Sequence, residues 1–567
     1  MAEQIISPGV FQNENVPITL EAAPAPVGAA IIGPTVKGQV GIPVTVSSYS
    51  EFLQKFGGSF VSGGIENTYT TALSAQNYFR QGGSNLLVTR VADAAYTAAS
   101  GTNISGSIGF PTVFSLKTIS QGANQNSSGS SAQTQETTGN ALISGSADNL
   151  RWEISNANTA SGIFDLFIRQ GNDRLSDKIV LESWRGVSLD PTRDDYVATV
   201  GTEGDDSFVT IAGEYPNNSN YVIVDSITLP TPNYLDGAGN AVASLTGSIP
   251  VAQSGSFNSA TGAPIAGTLM YDNITNGNTQ GLEATDYTTT INLLKNKDQY
   301  NYNVISTPGL IYSFAAHKTQ LDTLIANTTT RGDSILPIDV SEYGATVAST
   351  VSTAATLNTN YAAAYWPWLL VKDENTGANV WTPASTLLPS VYVYNDTQAQ
   401  AWFAPAGFTR GTMPNVVTPE KTLPRSLRDT LYTGKVNPIA TFPGTGVVVY
   451  GQKTLQNLST ALDRVNVRRL LITLKDFIGN VSQNLVFEPN SLQTRNSFLS
   501  TVNPYLEGVQ QNQGLYAFKV IMDDSNNGPD VIDRNELRGA IYLQPVKTAE
   551  FIVLDFNLLP TGAEFPA

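Results

Sequence analysis

The sequence runs to 567 residues, more than one ordinary hydrophobic core serves, so several domains of roughly 100–200 residues each are expected. Its 47 acidic and 31 basic side chains give a net charge of -16, which argues against nucleic acid as a ligand, because such binding releases counterions through clustered Lys and Arg. The absence of cysteine excludes disulfides and thiolate metal sites, and only 14% charged residues, against about 25% in average soluble domains, imply a polar but weakly charged exterior.

The chain opens on a β-prone stretch, Ile5-Ile6-Ser7-Pro8-Gly9-Val10-Phe11, broken by a Pro-Gly turn; residues 1–25 read as an extended arm. The opening residues lack a basic and then apolar export signal, and no apolar run reaches the roughly 20 residues of a membrane helix, so the expectation is synthesis in the cytoplasm without membrane insertion. Ala29–Gly33, Val44–Val46 and Leu86–Val91 have the continuous apolar character of buried strands, with helices predicted at Ser50–Phe56 and Thr71–Gln81, which makes 26–95 the first part of an α/β core.

From about residue 96 the composition changes. Ser120–Asn140 is nearly all Gln, Ser, Thr, Asn and Gly, too polar to bury a core, and short alternating runs such as Ile163–Ile168 and Tyr221–Val224 follow between turn residues. Residues 96–299 hold 20 acidic and 9 basic side chains, most of the net charge, and read as inserted, outward-facing, β-rich domains.

At Asn303–Gly309 the α/β rhythm returns, with a helix predicted at Ser313–Asn327 and a strand at Ile335–Val340; 300–430 is the second part of the core. Residues 431–539 read as a C-terminal α/β domain and 540–567 as a C-terminal strand or arm. In the former, a long helix is predicted from near Thr454 past Lys475, with Leu455, Leu458, Leu462, Val465 and Leu471 on one face and Arg464, Arg468, Arg469 and Lys475 on a basic side. A second helix is expected at Thr494–Gln511, then strands at Tyr516–Met522 and Ala540–Leu543. The fold class expected is therefore a multidomain α+β or α/β chain whose mixed core is built from both chain ends around β-rich insertions.

Catalytic chemistry is sparse. His317 is the one histidine, so a histidine-pair metal site is excluded and a Ser-His-Asp triad would rest wholly on it; a helix-surface role is expected. Gly446–Thr454 imitates a phosphate loop, but Gln452 breaks the Gly-x4-Gly-Lys-Thr spacing and Val-Val-Val-Tyr reads as a strand. Asp523–Gly528 resembles the start of a calcium loop, yet Arg534 stands at its twelfth position, where a bidentate Glu is needed. No cofactor is expected, and no enzyme activity.

Several ordered segments do carry a resemblance. Ser7–Phe11 followed by Ala30–Gly33 and Pro43–Val46, then Tyr361–Trp368, Pro383–Ser385 and Trp402–Gly407, then Gly434–Ile439, Gly451–Leu455, Val465–Leu470, Phe487–Asn490 and Pro545–Ile552 are similar to the contractile tail sheath proteins of phages and pyocin-like particles. Residues 96–299 carry no such match, and Tyr392–Asp396 departs from the family's small-residue version.

The resemblance implies hexameric rings of this chain stacked as a helical sheath around a tail tube, assembled in a metastable extended state and contracting to drive the tube through the host envelope. The implied partners are further copies of the chain, the tube protein, and baseplate and tail terminator proteins. The location implied is the virion tail. Because isolated β-prone arms leave backbone groups unpaired, Ile5, Ile6, Val10, Phe11, Ile541, Leu543, Phe551, Ile552, Val553 and Leu554 are expected to join sheets of neighbouring subunits. A breakable grip on the tube favours exposed charge pairs, and Arg464, Arg468, Arg469 and Lys475 are the candidates. Two other classes stay open on composition: another acidic self-assembling surface or virion protein, and a phage-associated glycan hydrolase using aromatics and carboxylates.

Overall fold

The computed structural model describes residues 27–550 except 63–64, 102–103, 108–111, 127–147, 174–175, 201–217 and 263–269. Two four-stranded sheets meet at its centre. In the first, Tyr302–Ser306 pairs in parallel with Val27–Gly33, which pairs in parallel with Leu86–Arg90, and Pro43–Val46 closes the edge antiparallel. In the second, Leu336–Ile338, Ala362–Trp366 and Val436–Phe442 run parallel and Gly446–Val449 returns antiparallel. A parallel bridge between Val304 and Ile335, with Ile305 N–H on the Ile335 carbonyl at 3.0 Å, joins them into one mixed sheet.

Strand period explains the two cores. Ala30, Ile32, Leu87, Ile305, Leu336, Ala364 and Val436 point to one face, and Ala29, Ile31, Val88, Val304, Ile335, Ala363 and Ile439 to the other. Both faces are dry because helices cover each, which is why these strands read as continuous apolar runs. Helix Thr70–Arg80 lies so close to the first strand that a Cβ at Gly28 would fall 2.4 Å from the Tyr78 hydroxyl, itself donating to the Asn85 carbonyl at 2.8 Å.

Residues 27–90 and 302–306 thus share one sheet, and a separate antiparallel sheet with its own core is built from strands between Ala98 and Asn258. The excursion closes where it opens: Thr97 N–H donates to the Thr261 carbonyl at 3.1 Å. Leu282, Tyr287, Ile291 and Leu294 pack into the central core, so residues 270–299, which composition grouped with the insertion, belong with the main body. Arg90, buried at a strand end, ties the root of the insertion by donating to the carbonyls of Gly38 at 2.5 Å and Gln121 at 2.8 Å.

The C-terminal lobe consists of helices Val465–Gln483 and Leu492–Gln511 and a hairpin of Leu515–Ile521 with Ala540–Pro545. Leu470, Leu474, Phe498, Val502, Leu506 and Val509 form its core, with Phe518, Val520, Ile541 and Leu543 packing from the inner face of the hairpin. The first helix begins eleven residues later than Thr454, the start the leucine spacing predicts. Lys453 bridges Arg464 antiparallel and Thr454 N–H donates to the Asp463 carbonyl at 3.0 Å, closing a loop; Leu455 is buried there as a loop residue and Leu458 is 72% exposed.

Candidate assembly interface

The hairpin has one strand on each side and no third among the described residues, so each strand keeps an outer edge of unpaired backbone groups. Its outer face carries Tyr516 and Tyr542, 62% and 61% exposed. A two-stranded sheet is marginal in water, and here the helices beneath hold it.

Just past the hairpin the chain runs as a strap along a cleft of about 580 Å³, whose opposite wall is Ser459–Val467. Glu550 pins the strap. Its carboxylate accepts from Arg464 Nε at 2.7 Å and Nη2 at 3.0 Å, from the Tyr432 hydroxyl at 2.8 Å and from Gln452 at 3.1 Å. Burial pushes the Glu550 carboxyl up, but the hydrogen bonds from Arg464 and Tyr432 outweigh it and leave the group below the ordinary range. Thr548 adds a hydrogen bond from Gln452 at 2.6 Å, and Lys453 sits with its ammonium 4.2 Å from the Tyr432 ring centroid.

The expected strand-exchange residues divide. Ile5, Ile6, Val10, Phe11, Phe551, Ile552, Val553 and Leu554 lie outside the described residues. Ile541 and Leu543 are engaged at home, opposite Val520 and Phe518 of the same chain, so they belong to a strand that presents an edge rather than to a donated arm.

The basic helix side is corrected more sharply. Arg468 and Arg469 are each 3% exposed, because their stems pass between the helix and the main body. Arg468 lies 4.1 Å from the Tyr361 ring centroid and donates to Asn360 at 2.7 Å. Arg469 pairs with Asp396 at 2.5 Å beside Tyr392. Arg464 is held by Glu550, and only Lys475 of the four stands in solvent.

The remaining sequence candidates resolve into structure. His317 is fully buried, not on a helix surface: Nδ1 accepts from the Ile311 N–H at 3.1 Å, and burial lowers its pKa to about 4. Gly446–Val449 is a strand, not a phosphate cradle. Among the described residues no group of His, Asp and Glu is arranged to hold a metal ion, and no helix is long and apolar enough to cross a membrane.

Sequence reasoning missed two surfaces. Phe487, at φ +73 between the two lobe helices, is fully exposed beside Val486 and Leu492. Its non-glycine left-handed backbone has no sequence signal, since Phe is rarely found there. Glu550 falls in the Pro545–Ile552 segment, but its partners lie 86 to 118 residues away and no spacing reveals them.

Comparison with known proteins agrees with this geometry. Residues 459–558 match the phage tail sheath C-terminal domain, the region holding the lobe helices, hairpin and strap. The tail sheath proteins of Vibrio phage KVP40 and Enterobacteria phage T4 are 38% and 36% identical over 214 residues, 38% of this chain. The aligned stretch is 31% of each of those relatives, so the chain spans about a third of their length. The fold is similar to that of a sheath tail protein from Listeria innocua, with a TM-score of 0.54 at 9% identity over 93% of this chain and 97% of that one. It is also similar to the helical sheath of the anti-feeding prophage in its contracted state, with a TM-score of 0.50 at 14% identity over 97% and 98%. The chain is therefore similar in sequence to phage tail sheath proteins through its C-terminal lobe, and similar in fold to sheath proteins along nearly its whole length.

Proposed function

We propose that the chain is a structural, non-enzymatic subunit of a contractile tail sheath, located in the virion tail. Copies assemble in the host cytoplasm as hexameric rings stacked around a tail tube, between baseplate and tail terminator, and contraction drives the tube through the host envelope. The observation that carries this reading is the hairpin with two open edges in the lobe that resembles the sheath C-terminal domain. Such edges accept further strands by main-chain hydrogen bonding. Residues 3–12 of one neighbour and 551–556 of another are the strands assigned to them. A backbone ladder of this kind survives rotation of the bodies it joins, so rings slide without separating.

Energy is stored in a metastable packing with on the order of a few kcal/mol per subunit between extended and contracted states, summed over many copies. The grip on the tube, first assigned to four basic side chains, passes to Lys475 and other exposed groups of the lobe, because Arg464, Arg468 and Arg469 are engaged within the chain.

Negative-stain microscopy of the purified protein tests the reading. Hollow cylinders formed by the protein alone are expected; a monodisperse monomer under all salt and concentration conditions contradicts it.

A further inference from the structure

The described chain ends beside an uncovered aromatic surface. Phe408, 51% exposed, and Tyr450, 44% exposed, flank half-buried Phe442, with ring centroids 5.0 Å apart for Phe408 and Phe442 and 4.8 Å for Phe442 and Tyr450. Arg428 lies 4.9 Å from the Phe442 centroid and 5.5 Å from that of Tyr450. Exposed rings with a guanidinium on them have the composition of interface anchors.

The root of the C-terminal segment lies on the flank of this surface. Arg428 and Tyr432 are one turn apart on helix Arg425–Thr433, which puts their Cβ atoms about 6 Å from each other. The Tyr432 hydroxyl holds Glu550, and so does Gln452, two residues after Tyr450. From this point 17 residues, 551–567, continue with Phe551, Ile552, Val553, Leu554, Phe556 and Leu558 among them, and with Asp555 and Glu564 but no Lys or Arg. An apolar, acidic segment complements an aromatic surface that carries Arg428.

We infer that in the unassembled subunit the segment beginning at Phe551 docks on the Phe408–Phe442–Tyr450 surface of its own chain. The inference rests on the sheath reading only in that the same segment leaves for a neighbour on assembly. Self-docking shields an adhesive segment until a hairpin edge is available. Tethering at Glu550 favours the intramolecular site, because a short link sets a millimolar effective concentration.

The chain has no cysteine, so engineered pairs report contact cleanly. Full-length protein kept monomeric by dilution is oxidised with Asn557→Cys combined with Arg425→Cys, one turn before Arg428 on the same helix face, or with Ser459→Cys, which lines the cleft at the same root. Asn557 lies within about 23 Å of Glu550 by chain length. Docking predicts disulfide formation about tenfold faster with Arg425→Cys. A second pair, Phe408→Cys with Asn557→Cys, should follow the fast rate and guards against a local effect of the first substitution. Equal rates, a faster Ser459→Cys pair, or crosslinks only between copies overturn the inference; the last means that a second copy covers the rings. The sheath reading is scored separately in the polymer, where Asn557→Cys with Gln544→Cys should join different copies whatever the monomer result.

Discussion

Arg464 and Glu550, 86 residues apart, form a two-pronged ion pair at 2.7 and 3.0 Å that fixes the point from which the C-terminal segment departs. A bidentate guanidinium–carboxylate pair sets direction as well as proximity, so residue 550 is held in one orientation against the body.

Glu550→Ala should cost about 1.5–3 kcal/mol, the range for hydrogen bonds to a charged group, measured by urea unfolding. Because the carboxyl is held below its ordinary value of 4.5, its contribution is present above that pH and fades as pH falls through the lower folded value. The stability gap between parent and variant should therefore close under acid.

Arg469→Ala should destabilise by about 1.5–3 kcal/mol, the range for hydrogen bonds to a charged group, since it removes the guanidinium that pairs with the Asp396 carboxylate. Charge reversal at Arg468 or Arg469 should reduce soluble folded protein before any effect on tube binding is seen. Lys475→Glu, in contrast, should leave the melting temperature within about 2 °C of the parent.

Asp339 lies buried at the end of its strand, accepting from the Ser385 N–H at 3.0 Å and from the Ser385 hydroxyl. Burial raises its pKa from 3.8 to about 7, with no cation offsetting it. A raised acid favours the folded state fully below the unfolded value, and that contribution is lost as pH rises through about 7. Relative to Asp339→Asn, the parent should lose stability between pH 5 and pH 8 in equilibrium unfolding, both values chosen to bracket the folded pKa of about 7.

The hydrogen bond from Thr97 to Thr261 brings the ends of the excursion together, so a short glycine linker can replace residues 98–260 without stretching the core. The shortened protein should unfold cooperatively and still form cylinders, read by calorimetry and microscopy. Loss of folding would mean that the inserted sheet is part of the main core.

The central strands were legible because parallel strands buried on both faces read as uninterrupted apolar runs, as at Ala29–Ile32 and Leu86–Val88. The lobe helices were legible by period, but Leu455 and Leu458 extended that period into a loop, since a residue buried by tertiary contact imitates a helical position. The basic side failed for a related reason: arginine spacing does not distinguish solvent from a neighbouring tyrosine, and Arg468 and Arg469 stack on Tyr361 and Tyr392. The open hairpin edges came from topology, which spacing alone does not supply.

Cryo-electron microscopy of the polymerised protein tests strand exchange most directly. The account predicts that the sheet of Leu515–Ile521 and Ala540–Pro545 gains a strand on each outer edge, one from residues 3–12 of one neighbour and one from 551–556 of another. A polymer in which that hairpin stays two-stranded, with both segments packed on their own subunit, would contradict it.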